Sequence, residues 1–474
     1  MRLTTHLVEI TLVAGDKAGG SSGDLHSADV RVWDNGKEQT IATFEKLSSR
    51  AAGDSKLPPG TFSNRTGRRA QVLSVVLLDA LNTRWSDGAY ARAEVVRTLA
   101  QIRPDERVAV FVLGDGLRVL HDFSSDAASL SSKLQKPPAA RGEDSPTDWP
   151  FSAAFSYGSL FHPRMETGAA AAFSRTHRIL DTFAALEAIA GYVKGIPGRK
   201  NLLWVSAGFP LAIGTPDTGG GADMSQLRTF GGEMDRAVRA LNGANIAVYP
   251  IDARGLTVGN PYINVSTMQD LARQTGGIAF YNRNDLHQAA RTALDDSREV
   301  YLLSYSPRPF AEDGTFHRIR IQTARRGVSL RYRQGYYAAG AAPREQPGDQ
   351  SRLIAALASP LDASEIGITA RVEGDAVVFH IDPADLDLDR NGDHWSGGAG
   401  VGLEQVGAGG ERYGRVIDEI KLDLTPETYQ RAMQGDVGFR MHWNRDARAS
   451  VLRMAVLARK RGRVGSLSLP LGSR

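Results

Sequence analysis

The chain has 474 residues with 42% hydrophobic and 23% charged, the balance of a globular protein, and its length suggests about three domains. It has no cysteine, which excludes a disulfide framework, a thiolate zinc site and a cysteine nucleophile. A formal charge of +4 is too small over this length to point to nucleic acid, and no apolar run reaches the roughly 18 residues of a membrane-spanning helix.

The first residues carry no apolar targeting core, since Thr4, Thr5, His6 and Glu9 interrupt it, so no signal peptide is read in this chain. Residues 1–50 read as β-strands. Leu7 to Val13 alternates and is β-branched, Val30 to Trp33 is a second strand, Asp34-Asn35-Gly36-Lys37 is a hairpin turn, and Gln39 to Phe44 returns. Residues 51–69 are small and polar, as expected for a linker.

From Val72 to Leu78 the run is almost continuously apolar, the signature of a parallel strand covered on both faces. A helix is expected over 89–101. A hairpin follows, Val108–Leu113 and Leu117–Phe123, then a short helix from Asp126 to Leu134. Residues 137–175 read as a long irregular insertion. Beyond it the spacing predicts a helix over 177–194, strand 201–206, a Gly219-Gly220-Gly221 loop and a helix over 224–241. Strand 246–251, helix 267–274, strand 278–281 and helix 285–296 complete the series. Strands separated by helices predict an α/β fold, a doubly wound and mostly parallel sheet over 70–298. Residues 300–340 return to strands, expected to complete one flanking module with 1–50. Residues 350–474, with short alternating runs and regular turns, predict an antiparallel β-sandwich.

Doubly wound sheets bind ligands at the carboxyl ends of their strands, which directs attention to Asp79, Asn82 and Thr83 at the end of the first one. A strand-end carboxylate with a hydroxyl four residues on can co-ligate a hard divalent cation. The same Asp79 can equally open the following turn through backbone hydrogen bonds.

These residues, the 108–123 hairpin and strand 201–206 resemble a von Willebrand factor A domain. Trp33-Asp34-Asn35-Gly36-Lys37, the run from Gly198 to Pro210, Leu271 to Gly277, Tyr301 to Pro307 and Gly462 to Leu471 resemble, in order, the bacterial VWFA-related proteins first catalogued in Acidobacteria. The resemblance implies a Rossmann-like A-type domain, protein partners, and an extracytoplasmic or secreted location. It also implies a metal-ion-dependent adhesion site, Asp-x-Ser-x-Ser with a later Thr and a later Asp around Mg²⁺ or Mn²⁺. In this chain Asp79 matches the first Asp and Thr83 the last hydroxyl, with Thr182 the candidate for the later Thr. Leu81 replaces the middle Ser, and Ala207 falls where the later Asp is expected. Asn82 and Ser206 would be auxiliary neutral ligands. One carboxylate leaves a divalent cation under-neutralised, so the expected site is a degenerate one.

The competing expectation is a metal-dependent hydrolase or phosphotransferase using Asp79, after the Asp-x-Asp-x-Thr pattern of haloacid-dehalogenase-type enzymes; Leu81 removes the proton-transfer carboxylate. Trp204 stands at the first Gly of a serine nucleophile elbow, and His121, His177 and His287 occur singly. The chain is therefore read as a non-enzyme. Within the insertion, Trp149, Phe151, Phe155, Tyr157 and Phe161 offer aromatic contact to a protein partner, or packing of the loop onto its own domain. Asp387, Asp389 and Asn391 have the alternating oxygens of a Ca²⁺ loop, but Gly398 stands at the bidentate Glu position, and a self-solvated turn is the plainer reading. The basic Arg459 to Arg463 stretch reads as a solvated hairpin turn.

Overall fold

The computed structural model describes residues 7–16, 25–48, 57–64, 72–114, 116–135, 169–196, 198–208, 212–213, 228–256, 262–296, 299–309, 314–338, 348–359, 361–386, 388–407, 410–434, 438–460 and 462–471. The chain divides into two compact units, each drawn from three separate segments: 1–51, 71–187 and 198–341 in the first, and 52–70, 188–197 and 342–474 in the second.

The first unit contains a five-stranded sheet in the order Ile246–Asp252, Lys200–Ser206, Val72–Asp79, Glu106–Leu113, Leu117–Ser124. The first four strands run parallel, and the last is an antiparallel edge reached through the expected hairpin. All seven residues of Lys200–Ser206 and of Ile246–Asp252 are buried, as in a parallel sheet covered on both faces. One face, with Val76, Leu78, Val110, Leu203 and Ile251, packs on Val95 and Leu99 of Trp85–Leu99 and on Leu286 and Ala290 of Leu286–Asp295. Further helices, Ala127–Gln135, the part of Ala169–Val193 up to Glu187, Gly231–Gly243 and Tyr262–Thr275, complete the α/β alternation.

Several boundaries differ from expectation for local reasons. The helix expected over 177–194 is Ala169–Val193 and begins inside the expected insertion, where an alanine run favours helix. Gly231 and Gly232 open a helix that runs on to Gly243, against the expected 224–241. No strand forms over 278–281. Phe280 makes a single parallel bridge to Ile251, and the Gly276-Gly277 turn before it presses its backbone onto the neighbouring strand. A Cβ on Gly277 would lie 1.9 Å from the Val248 carbonyl oxygen.

The unit also holds two antiparallel sheets. One runs Val328–Arg331, Val8–Asp16, Glu299–Tyr305, Ile41–Ser48; the other runs Gly335–Tyr337, Phe316–Thr323, Val30–Asp34, Lys37–Gln39. Ile10, Leu12, Val32, Leu303, Tyr305, Ile319 and Ile321 form their shared core. Tyr305 and Tyr336 both donate hydroxyl hydrogen bonds to Asp34, at 2.9 and 2.8 Å, and His317 Nδ1 lies 2.9 Å from the same buried carboxylate.

In the second unit, Phe439–His442, Ala376–Ile381, Ile368–Glu373 and Thr61–Ser63 form one antiparallel sheet. Thr61–Ser63 lies in the segment expected to be a linker. Its neighbour Asn64 explains the capture: Nδ2 donates to the Ala363 and Ile366 carbonyls at 2.7 and 2.8 Å, and Oδ1 accepts from the Ile368 N–H at 2.8 Å. A second antiparallel sheet contains Asp389–Asn391, His394–Gly407, Arg412–Leu424, Ala449–Ala458 and Val464–Pro470. Ile368, Phe379, Val401, Leu452, Met454 and Leu469 bring the two sheets into one apolar cluster. Among the described residues no helix is long and apolar enough to cross a membrane.

Candidate functional site

The parallel strand Val72–Asp79 ends in a carboxylate only 1% exposed, directly beside the end of Lys200–Ser206. Asp79 Oδ1 accepts from the Asn82 backbone N–H at 3.0 Å and from Asn82 Nδ2 at 3.2 Å. Oδ2 accepts from Asn82 Nδ2 at 2.9 Å, Trp204 Nε1 at 3.1 Å and the Ser206 hydroxyl at 2.7 Å. An ionised carboxylate has about four lone-pair positions, and here every one meets an N–H or O–H donor. Burial pushes the Asp79 pKa up, while the Ser206, Asn82 and Trp204 hydrogen bonds pull it back toward the ionised form.

Asn82 also reaches the helix Ala169–Val193. Its Nδ2 donates to Thr182 Oγ1 at 2.8 Å, and the Thr182 hydroxyl in turn donates to the Arg178 carbonyl at 2.7 Å. The amide thus stands between the carboxylate and the threonine hydroxyl. Thr83 is held separately: its Oγ1 accepts from the Ala207 N–H at 3.1 Å and ties the loop after the first strand to the one after Lys200–Ser206. Ser206 Oγ accepts from the Gly208 N–H at 3.0 Å, which aims its own proton at Asp79.

Four of the five residues singled out from sequence, Asp79, Asn82, Thr182 and Ser206, therefore fall within one network, and Thr83 sits beside it on the Ala207 N–H. Trp204 joins them unannounced. Its signal in the sequence is a tryptophan inside a fully buried strand, since a buried indole N–H needs an acceptor. A hard cation needs oxygen lone pairs and retained waters. The donor set here presents hydrogens to a single carboxylate, and does not fit Mg²⁺ or Mn²⁺. Asp252, at the end of the next strand, is held by one neighbour, accepting from the Arg254 backbone N–H and from its Nε and Nη2 at 2.8–3.0 Å.

The remaining candidates lie elsewhere. Trp149, Phe151, Phe155, Tyr157 and Phe161 fall outside the described residues, as does Asp387. Asp389 and Asn391 sit on a short strand leading into a hairpin turn at Gly392. The Asp389 carboxylate is paired with the Lys460 ammonium, and Asn391 Nδ2 donates to Ser396 Oγ at 2.7 Å. Among the described residues no three His, Cys, Asp or Glu side chains gather as a metal-binding group.

No family model and no curated protein matches the chain. Among solved structures it is similar to an aerotolerance-related membrane protein from Bacteroides fragilis, at TM-score 0.27 and 14% identity, over 47% of this chain and 98% of that one. It is also similar to the conserved hypothetical protein BatB from Bacteroides thetaiotaomicron, at TM-score 0.25 and 12% identity, over 48% of this chain and 98% of that one. The vWF domain of the type V pili tip protein Mfa5 from Porphyromonas gingivalis gives TM-score 0.29 and 13% identity, over 48% and 94%.

Proposed function

We propose that this chain is a non-catalytic protein-binding or assembly factor that acts outside the cytoplasm. Its A-type domain retains the outline of a metal-ion-dependent adhesion site in which protein groups have taken the cation's place, and its C-terminal β-sandwich completes a binding scaffold. The observation that carries this reading is the saturated Asp79 carboxylate. Asn82 Nδ2 bridges Asp79 and Thr182, two of the three positions that the family resemblance assigns to metal ligation. An amide there satisfies the acid and the hydroxyl without a cation.

The same saturation argues against Asp79 as a nucleophile. A phosphoryl or acyl acceptor needs a lone pair aimed at the substrate, and both Asp79 oxygens are engaged within a site closed to solvent.

Calorimetric titration with Mg²⁺, Mn²⁺ and Ca²⁺ tests the site. The expected result is no binding at micromolar cation in wild type and in Asp79→Ala alike. Micromolar binding in wild type that is lost in Asp79→Ala would overturn the degenerate-site reading. A phosphatase and esterase screen should give no turnover dependent on Asp79. Pull-down from an envelope fraction, with and without residues 137–175, addresses the partner, and a loop-dependent partner is the expected outcome.

A further inference from the structure

The strand Arg412–Leu424 is thirteen residues long and pairs, among the described residues, with His394–Gly407 and with no other strand. Among the described residues its second edge is therefore open. Natural proteins keep such edges short or blocked, and typical strands run about five or six residues. The edge strand Phe439–His442 of the facing sheet obeys that rule with four residues. Arg412–Leu424 does not, and it carries no proline.

From Gly414 to Glu419 six consecutive residues are exposed, among them Val416 at 38% and Ile417 at 39%. Alternate residues of a strand face opposite sides, so each side carries one uncovered β-branched residue. On the side of Ile417, Arg415 lies two positions before and Glu419 two positions after. This order is self-complementary. A second copy laid antiparallel about Ile417 sets Ile417 opposite Ile417, Arg415 opposite Glu419, and Glu419 opposite Arg415. Cross-strand pairs of opposite charge and of β-branched side chains are the stabilising kind. Tyr413 then faces Lys421. Neighbouring two-fold registers are worse: centring on Asp418 puts the acid opposite itself and Arg415 opposite Lys421, and centring on Val416 sets Arg415 against Ile417.

The charges retain capacity for such a contact. Arg412 and Arg415 both lean on the one carboxylate of Glu404, which leaves one positive charge in excess, and the Arg415 side chain is 33% exposed. Glu419 meets Arg459 at 2.8 Å and is itself 33% exposed.

We propose that this edge is a contact between two copies of the chain, which pair their Arg412–Leu424 strands antiparallel about a two-fold axis at Ile417 and merge two sheets into one. An edge-to-edge contact buries less than the roughly 1,200 Å² of a standard interface, so the dimer is weak and dependent on concentration.

The absence of cysteine makes the test direct, since one substitution gives the full-length chain a single thiol. Opposed residues in adjacent strands bring their Cβ atoms to about 5 Å, close enough for a disulfide. Ile417→Cys is expected to cross-link to a dimer under mild oxidation. Asp423→Cys, exposed on the same strand, would place its two thiols about 40 Å apart and is expected to remain monomeric. In sedimentation velocity, wild type is expected to shift toward dimer between about 1 and 100 μM, and Ile417→Lys to remain monomeric with an unchanged melting temperature. A wild type that stays monomeric over this range overturns the proposal, as it would if the edge served a strand of a different protein. Equal cross-linking rates for Ile417→Cys and Asp423→Cys overturn it too, and that comparison decides the matter if Ile417→Lys melts early.

Discussion

At the scale of single residues, Asp79 acts as a junction. Replacing it with Ala removes the acceptor for the Asn82 N–H, Trp204 Nε1 and the Ser206 hydroxyl, all in a closed environment. Loss of these partners outweighs the relief of burying a charge. Asp79→Ala is expected to lower the unfolding free energy by roughly 1–3 kcal/mol, seen as a lower urea midpoint with an unchanged slope. A metal site of crowded acids behaves in the opposite sense and gains stability when one acid is removed. Lys200 makes a second prediction. Its Nζ is buried and donates to the Ala244 carbonyl at 2.9 Å, and burial pulls its pKa down from 10.5 to about 7. Between those two values the unfolded chain binds the proton and the folded one does not, so stability rises with pH from about 7 to 10.5. Below about 7 that increment is absent, because both states carry the charge and the folded state holds it in a dry site. Lys200→Met should raise stability at neutral pH by an amount of order 1 kcal/mol or more and flatten the pH dependence, as denaturant midpoints at pH 6, 8 and 10 would record. The strand-end place of Asp79 was legible because the apolar run from Val72 stops there, and the bond it accepts from the Asn82 N–H is the turn-opening one the sequence equally allowed. Lys200 was not, because Gly198-Arg199-Lys200 has the composition of an exposed basic turn. Only the 244–245 turn, whose carbonyls receive both the Lys200 N–H and its ammonium, closes over it.

At the scale of elements, close approach between backbones sets what is tolerated. Gly277→Ala would drive a methyl group into the Val248 carbonyl, and neither is a flexible side chain that could swing away. The expected cost is about 3 kcal/mol or more, measurable as a lower melting temperature or as loss of soluble protein. Asn64→Ala removes three hydrogen bonds that fasten the Thr61–Ser63 strand to Ile368 and the loop before it, and should destabilise the second unit by roughly 2 kcal/mol. The parallel strands could be read from sequence because burial on both faces writes a continuous apolar run. Thr61–Ser63 could not. Three residues carry no periodicity, and the partner that makes them a strand lies some three hundred positions away, at Thr369 to Arg371. The helix expected from 224 ran across Gly231-Gly232, whereas the pair marks its start, and Met234, Ala237, Val238 and Leu241 behind it bury the helical face.

At the scale of the whole molecule, the connectivity is interleaved, and a linear division of the chain divides neither unit cleanly. A fragment spanning 348–471 lacks the Thr61–Ser63 strand and Asn64, so it should melt below the full chain's second unit. A synthetic 57–64 peptide added in excess should raise its melting temperature. Interleaving also imposes an order in time. The strand Glu299–Tyr305 lies between Val8–Asp16 and Ile41–Ser48, with Ile10 opposite Leu303. At about 5–20 residues per second, a ribosome that has released Ile10 needs roughly 15–60 s to deliver Leu303. For most of that interval both flanking strands have been made while the strand that belongs between them has not. The parallel sheet of 72–252 can close meanwhile, because its strands are all synthesised within it. Val8–Asp16 thus waits longer for Glu299–Tyr305 than Ile41–Ser48 does, and a holding chaperone would meet the chain in that interval.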